Sequence, residues 1–273
     1  MPENYIGIMC GTSLDSLDFS LCCFEKVKKL KTFKSYRISQ KLKDKINLCK
    51  TKPNNQSLFN ETDEEVTHFI IQCLQKFIIF NKLNKIKAIG YPGITLIHNP
   101  KRCISKTLGN PKMIAAKTKF KVIGEFRLSD MKAGGQGAPL APYFHEYISL
   151  KEKPFINILN LGGFANWTFK SGNKLIAYDT GPANYLIDLI SNKYFNVTYD
   201  RNGVLAKKGK INDEALVAML SDRFFDQAIP KSTGFERFNF KWLTKFKDKF
   251  KLTNKSMMIA TVSQLTIVSI SDA

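Results

Sequence analysis

Ile8-Met9-Cys10-Gly11-Thr12-Ser13-Leu14-Asp15-Ser16-Leu17-Asp18 decides how this chain begins to fold. An apolar run from Tyr5 to Cys10 reaches Gly11-Thr12-Ser13, and beyond that turn Leu17, Phe19, Leu21 and Cys23 alternate with Asp18, Ser20 and Cys22. Period-two alternation predicts a half-buried strand, so the segment reads as strand, Gly turn, strand. P-loop and Rossmann sites run instead from strand into helix, and neither Gly-x-x-x-x-Gly-Lys-Ser/Thr nor Gly-x-Gly-x-x-Gly occurs in the 273 residues. A glycine at such a turn lets main-chain N–H groups close on an anion, and the Thr12 and Ser13 hydroxyls add donors. Gly11 to Asp18 can therefore hold a phosphate tail. Asp15 and Asp18 would repel it unless a Mg²⁺ lies between carboxylate and phosphate oxygens. A plain hairpin with polar turn residues is the competing reading.

Outward from this hairpin, Lys31 to Ile38 reads as a third strand. Thr62-x-x-Glu65 predicts a capping box ahead of an amphipathic helix carrying Val66, Phe69, Ile70, Cys73, Leu74, Phe77 and Ile78. A strand at Ile86 to Gly90, a helix at Lys112 to Thr118, a strand at Lys121 to Phe126 and a helix at Leu140 to Ser149 follow. The pattern then restarts. Phe155 to Leu161 runs into Gly162-Gly163, the chain returns at Trp167 to Lys170, and a strand at Leu175 to Asp179 precedes a helix from Pro182 to Phe195. Helices at Asp213 to Phe225 and Lys255 to Ala273 close the chain. The repeated strand, Gly turn, strand predicts two related α/β domains, 1–150 and 151–273, meeting near Lys151 to Pro154 with a central cleft. The second has fewer elements and reads as incomplete at its C-terminus.

Composition narrows the function classes. With 44% hydrophobic and 24% charged residues, the chain is neither disordered nor fibrous. The longest apolar stretch, Phe69 to Phe80, is broken by Gln72, Gln75 and Lys76, so no membrane span is expected. Met1-Pro2-Glu3-Asn4 lacks the basic start and apolar run of a secretory signal, which predicts a cytoplasmic protein. Its six cysteines form no Cys-x-x-Cys pair and read as reduced thiols, and three histidines without His-x-x-x-His spacing give zinc little to bind. The net charge of +19 would suit a polyanion, yet the lysines are spread along the chain and no nucleic-acid motif accompanies them. The clusters Lys26 to Lys34 and Lys241 to Lys251 read as solvated faces rather than a nucleic-acid surface.

Two further segments carry candidate chemistry. Asn160-Leu161-Gly162-Gly163-Phe164-Ala165-Asn166 is a second Gly turn, followed by Asp179-Thr180-Gly181-Pro182-Ala183-Asn184 at a strand-to-helix junction. Pro182 fits the first helical position, which would leave free N–H groups for an anion; simple capping by Thr180 is the alternative. In Phe126-Arg127-Leu128-Ser129-Asp130-Met131-Lys132-Ala133-Gly134-Gly135-Gln136-Gly137-Ala138-Pro139, a carboxylate in a Gly-rich loop can take a proton from water or a hydroxyl. Asp130 is the candidate base. Arg127 can pair with a substrate carboxylate through its planar fork, although a surface salt bridge is the commoner fate of an arginine.

These segments together resemble the anhydro-N-acetylmuramic acid kinases of bacterial cell-wall recycling. The matching pieces are Ile8 to Asp15, Phe126-Arg127 with Asp130 and Ala133 to Pro139, Asn160 to Asn166, Asp179 to Asn184, and Lys231-Ser232-Thr233-Gly234 with Phe238-Asn239. The resemblance implies two actin-like, ribonuclease-H-like domains, the second incomplete. It implies that ATP phosphorylates O6 of 1,6-anhydro-N-acetylmuramate while water attacks C1 and opens the anhydro bridge, giving N-acetylmuramate 6-phosphate. Asp130 then stands where the family places the base. ATP contacts fall on Gly11 to Asp18 and on Asn160, Gly162, Gly163, Asn166, Asp179, Thr180 and Gly181. Mg²⁺ falls at Asp15 and Asp18, and sugar contacts at Arg127, Thr95, Gly134 and Gly135. A homodimer is also suggested.

The sequence departs from the family pattern at Tyr91-Pro92-Gly93-Ile94-Thr95, where the family usually has Ser-His-Gly-Gln-Thr. Ser16 and Ala183 replace glycines, Glu125 an aspartate and Phe235 an arginine. An adenosine-binding segment that follows in the family has no counterpart before Ala273, so Ile259, Val262, Leu265, Ile267, Val268 and Ile270 are expected to lack partners. An inactive or impaired remnant of the kinase is the second reading.

Overall fold

The computed structural model describes residues 3–11, 13–24, 29–149, 155–172 and 174–273. Thr12 and the expected domain boundary at 151–154 lie outside the described residues. The chain divides into two compact units, Met1–Ala138 and Pro139–Ala273.

The first unit opens on an antiparallel meander, β1 (Asn4–Cys10), β2 (Ser16–Cys23) and β3 (Lys29–Arg37), with Gly7 opposite Ser20 and Met9 opposite Asp18. Helices α1 (Gln40–Thr51) and α2 (Gln56–Phe80) follow, and β4 (Ala88–Gly90) returns parallel to β1. Strands β5 (Ile94–Asn99) and β6 (Ile104–Leu108) form a separate hairpin. Then come α3 (Pro111–Thr118), β7 (Val122–Ile123) parallel to β4, and α4 (Phe126–Lys132). The main sheet is mixed, in the order β3-β2-β1-β4-β7. Leu17, Phe19 and Leu21 on one face of β2 are buried with Ile6 and Ile8 in the core that also takes Ile46, Ile70, Leu74 and Phe77 from α1 and α2. Alternation leaves Ser16, Asp18 and Ser20 on the opposite face.

Three expectations are corrected here. Thr62-x-x-Glu65 does not start α2: Asn55 caps it, accepting from the Leu58 N–H at 3.0 Å. Thr62 is the seventh residue of the helix and donates to the Leu58 carbonyl, while Glu65 pairs with Lys45 at 2.7 Å. The strand expected at Lys121 to Phe126 is two residues long, because Glu125 turns into the left-handed region at φ 55° and Phe126 already begins α4. Asp130 thus sits on a helix, with the glycines following it, rather than in the loop.

The second unit begins with α5 (Ala141–Ser149) and a second antiparallel meander of β8 (Phe155–Leu161), β9 (Phe164–Ser171) and β10 (Lys174–Pro182), ordered β10-β9-β8. Helices α6 (Asn184–Phe195), α7 (Asp213–Leu220), α8 (Phe240–Lys249) and α9 (Lys255–Ser271) build its core. Ile259, Val262 and Leu265, expected to lack partners, are fully buried among residues such as Leu186, Ile190, Met219 and Leu243; Ile267 alone of the six is largely exposed. No helix among the described residues is long and apolar enough to cross a membrane.

Asp222 ties the loop after α7 to α8. Its carboxylate accepts from the Phe224 N–H at 3.0 Å, the Trp242 indole at 2.8 Å and the Arg237 guanidinium. Burial alone would raise its pKa, but these donors outweigh burial and hold it below its ordinary 3.8. The stabilisation is therefore in place above that value and is lost as pH falls through the lower folded pKa. Asp222→Asn is expected to cost about 2 kcal/mol at neutral pH. Thermal melts should show the gap to the wild type closing as the pH falls below 3.8; a gap independent of pH would refute the ionic assignment.

Candidate active site

Helix α4 presents Arg127 and Asp130, three residues apart and so on neighbouring positions of one face. The turn after it folds back on the carboxylate: the Gly135 N–H donates to the Asp130 carbonyl at 2.9 Å and the Gly137 N–H to Asp130 Oδ2 at 2.7 Å. Arg127 Nη1 donates to the Gly137 carbonyl at 2.8 Å. One residue, Gly137, thus joins base and cation through the peptide groups on its two sides. Glycine is required at 137 by its φ of +70° and by the approach of His98 Cε1, 2.9 Å from where a Cβ would stand. Gly134 and Gly135 are exposed beside the carboxylate, leaving it open to a ligand.

The sheet face on which Asp18 lies forms a hollow of about 410 Å³ with Gly7, Ser20, Gly90, Pro92 and Phe126, the first residue of α4. Asp18 and the α4 helix therefore border one concavity of the first unit. Ser16 donates to Asp18 Oδ1 at 2.8 Å. In the turn, Leu14 takes a left-handed φ of 57° and its N–H bonds to the Gly11 carbonyl at 3.1 Å. Asp15 is exposed and paired with Lys43 at 2.8 Å. Burial raises its pKa, while Lys43 and Ser13 lower it further and win. Leu14 and Leu17 point into the core, so a ligand could meet them only through the main chain. Thr95 pairs with Thr107 near the start of β5, away from the His98 end of that strand.

The departure at Tyr91 has a structural role. The ring is 1% exposed, its hydroxyl donates to the Leu108 carbonyl at 2.8 Å, and Gly109 (φ +92°) is pressed against it. Gly109 in turn donates to Asp63 at 2.7 Å.

In the second unit, register places Asn160, Asn166 and Asp179 directly opposite one another across β8, β9 and β10. Asp179 accepts from the Thr233 N–H at 2.8 Å, which brings the Lys231-to-Gly234 segment to the same row. Asn166 Oδ1 and Thr233 Oγ1 are buried without hydrogen-bond partners. A bulge after Asp179 carries the buried Thr180 and Gly181. The expected free amides at the α6 N-terminus are not there: the Ala183, Asn184 and Tyr185 N–H groups bond to the Gly163, Gly162 and Gly163 carbonyls at 3.0, 3.1 and 3.0 Å. Pro182 ends β10 instead of starting the helix. The Gly162-Gly163 turn has consumed those donors.

The family model described as "Anhydro-N-acetylmuramic acid kinase" matches residues 3–273. The chain belongs to this family. A relative of that name from Sulfurovum sp. (strain NBC37-1) is 40% identical over 276 residues, covering 99% of this chain and 77% of the relative. Those from Sulfurimonas denitrificans and Haemophilus influenzae are 38% and 35% identical, each aligned over 75% of its length. The motif resemblance thus extends over nearly the whole chain, and membership in a kinase family implies ATP as co-substrate. Among the described residues no three His, Cys, Asp or Glu side chains come together to hold a metal. Asp15 is paired with Lys43 and Asp18 accepts from Ser16, so the two carboxylates do not form a protein cage for a cation.

Two residues that pack around Asp130 escaped the sequence reading. Gly137 was legible only as part of a glycine run, and His98 gave no signal beyond being one of three histidines.

Proposed function

We propose that this chain converts 1,6-anhydro-N-acetylmuramate and ATP to N-acetylmuramate 6-phosphate and ADP in peptidoglycan recycling, within an actin-like fold of two ribonuclease-H-like domains. The observation that carries the reading is the Asp130 carboxylate, fixed by the Gly137 N–H and open to a ligand on its Gly134-Gly135 side. Asp130 takes a proton from water, whose oxygen attacks C1. The C1–O6 bond breaks, and O6 attacks the γ-phosphorus as the bond to ADP is released. Arg127, three residues away, provides the cation for the muramate carboxylate. Mg²⁺ held at Asp15 and Asp18 would spread negative charge over the phosphoryl oxygens. Asn160, Asn166 and Asp179, with Thr233, supply polar side chains for the nucleotide, the Asn166 and Thr233 oxygens being unpaired.

The test is a coupled ATPase assay with and without the anhydro sugar. Asp130→Asn should lower sugar-dependent turnover about 10² to 10⁴-fold, and a variant with wild-type turnover would remove Asp130 as base. A second reading, an inactive member of the family, is favoured by Tyr91, which has turned the first position of the Ser-His-Gly-Gln-Thr run into core. Folded protein without sugar-dependent turnover would establish it.

A further inference from the structure

Among the described residues of the first unit, the buried side-chain polar atoms without a partner are the two ring nitrogens of His98. The residue lies near the end of β5, against the α4 loop. Burial and the Arg127 cation both lower its pKa, so the ring is neutral, and the Gln136 main chain is close enough to oppose that shift without completing a hydrogen bond. A neutral imidazole still carries one N–H. Burying it unpaired is unfavourable, and a phenylalanine of similar shape would avoid that cost. The ring touches the residue that organises the site: its Cε1 closes on Gly137, whose N–H donates to Asp130 and whose carbonyl accepts from Arg127. Hydrogen bonds of catalytic sites are often long in the unliganded protein and tighten with substrate.

We propose that His98 is a positioning residue for Asp130: with sugar bound, its imidazole N–H takes the Gln136 carbonyl and thereby holds the Gly137 N–H on the carboxylate. The inference rests on the reading of Asp130 as base. The packing of Cε1 on Gly137 sets the ring's location, and the N–H then selects one loop geometry from those the glycines permit.

The experiment compares wild type, His98→Phe, His98→Gln and Asp130→Asn in the same assay, with thermal melts of each. His98→Phe should lower kcat tenfold or more while KM for sugar and ATP stays within about threefold and the melting temperature is equal or higher. His98→Gln, which restores an N–H, should recover part of kcat. A histidine needed only for packing would give the opposite split, with Phe tolerated and Gln poor, and that result overturns the inference. Loss of turnover in Asp130→Asn together with a wild-type His98→Phe overturns it alone; an active Asp130→Asn overturns it together with the base reading. A readout independent of turnover is the His98 imidazole ¹⁵N–¹H signal on adding 1,6-anhydro-N-acetylmuramate and a non-hydrolysable ATP analogue. A slowly exchanging N–H that appears with the ligands supports the proposal, and an unchanged signal overturns it.

Discussion

Gly135→Ala is expected to give a folded protein that has lost its turnover. An added Cβ at this position would stand 2.1 Å from Asp130 Oδ2 and 2.5 Å from its Cγ, well inside van der Waals contact. The Gly135 backbone is not in the left-handed region, so alanine meets no conformational barrier there. The obstacle is a short side chain that can swing away, and doing so breaks the bond to the Gly137 N–H. Because the glycine is exposed and touches no core residue, stability should change little, with a melting temperature within about 3 °C of wild type. Catalysis should suffer far more, since a base displaced by an ångström loses on the order of 10²-fold in rate. Steady-state kinetics beside a melting curve decides it: unchanged kcat would mean that Asp130 does not act from the position seen here.

Gly209→Ala has the reverse profile, a large loss of stability through backbone that cannot move. Its Cβ would lie 1.9 Å from the Ser256 carbonyl oxygen, 2.3 Å from the Ser256 carbonyl carbon and 2.8 Å from the Met257 nitrogen. Gly209 itself is extended, φ −98° and ψ 153°, a conformation open to every residue, so the whole penalty is steric. Those atoms belong to the first turn of α9, the helix that delivers Met258, Ile259, Val262 and Leu265 to the core. Relief requires α9 to slide off its packing, at a cost of more than about 3 kcal/mol. Calorimetry should find the second unit's transition lowered by roughly 10 °C or more, or soluble protein lost altogether. A melt within 2–3 °C of wild type would show that the helix can yield.

What the sequence discloses follows from how local each signal is. The hairpins at Gly11 and at Gly162-Gly163 were legible because a glycine turn and period-two alternation are written in adjacent residues. Helix α1 went unread since its buried positions, Leu42, Ile46 and Cys49, are three residues scattered among lysines. The β5–β6 hairpin was hidden because Tyr91 to Thr95 stood out as a departure from a motif, not as the approach to a strand. Strand β7 was overextended because nothing in Gly124-Glu125 announces a left-handed glutamate. In the candidate site, Asp130 could be named from the glycine-rich run that follows it and Arg127 from its planar fork. Partner identities could not: that Gly137 supplies the hydrogen bond, that α6 amides are spent on the Gly162-Gly163 carbonyls, and that the His98 ring nitrogens are buried without a partner are all consequences of long-range packing.

The Tyr91 ring also bears on how this chain can change. Its hydroxyl anchors the end of β6, and Gly109 next to it is tied by its N–H to Asp63 in α2. A serine at position 91 would open a void the size of a phenol and strand the Leu108 carbonyl. The tyrosine therefore acts as a ratchet: with its ring part of the core, a small residue at 91 is tolerated only together with changes that fill the space it leaves.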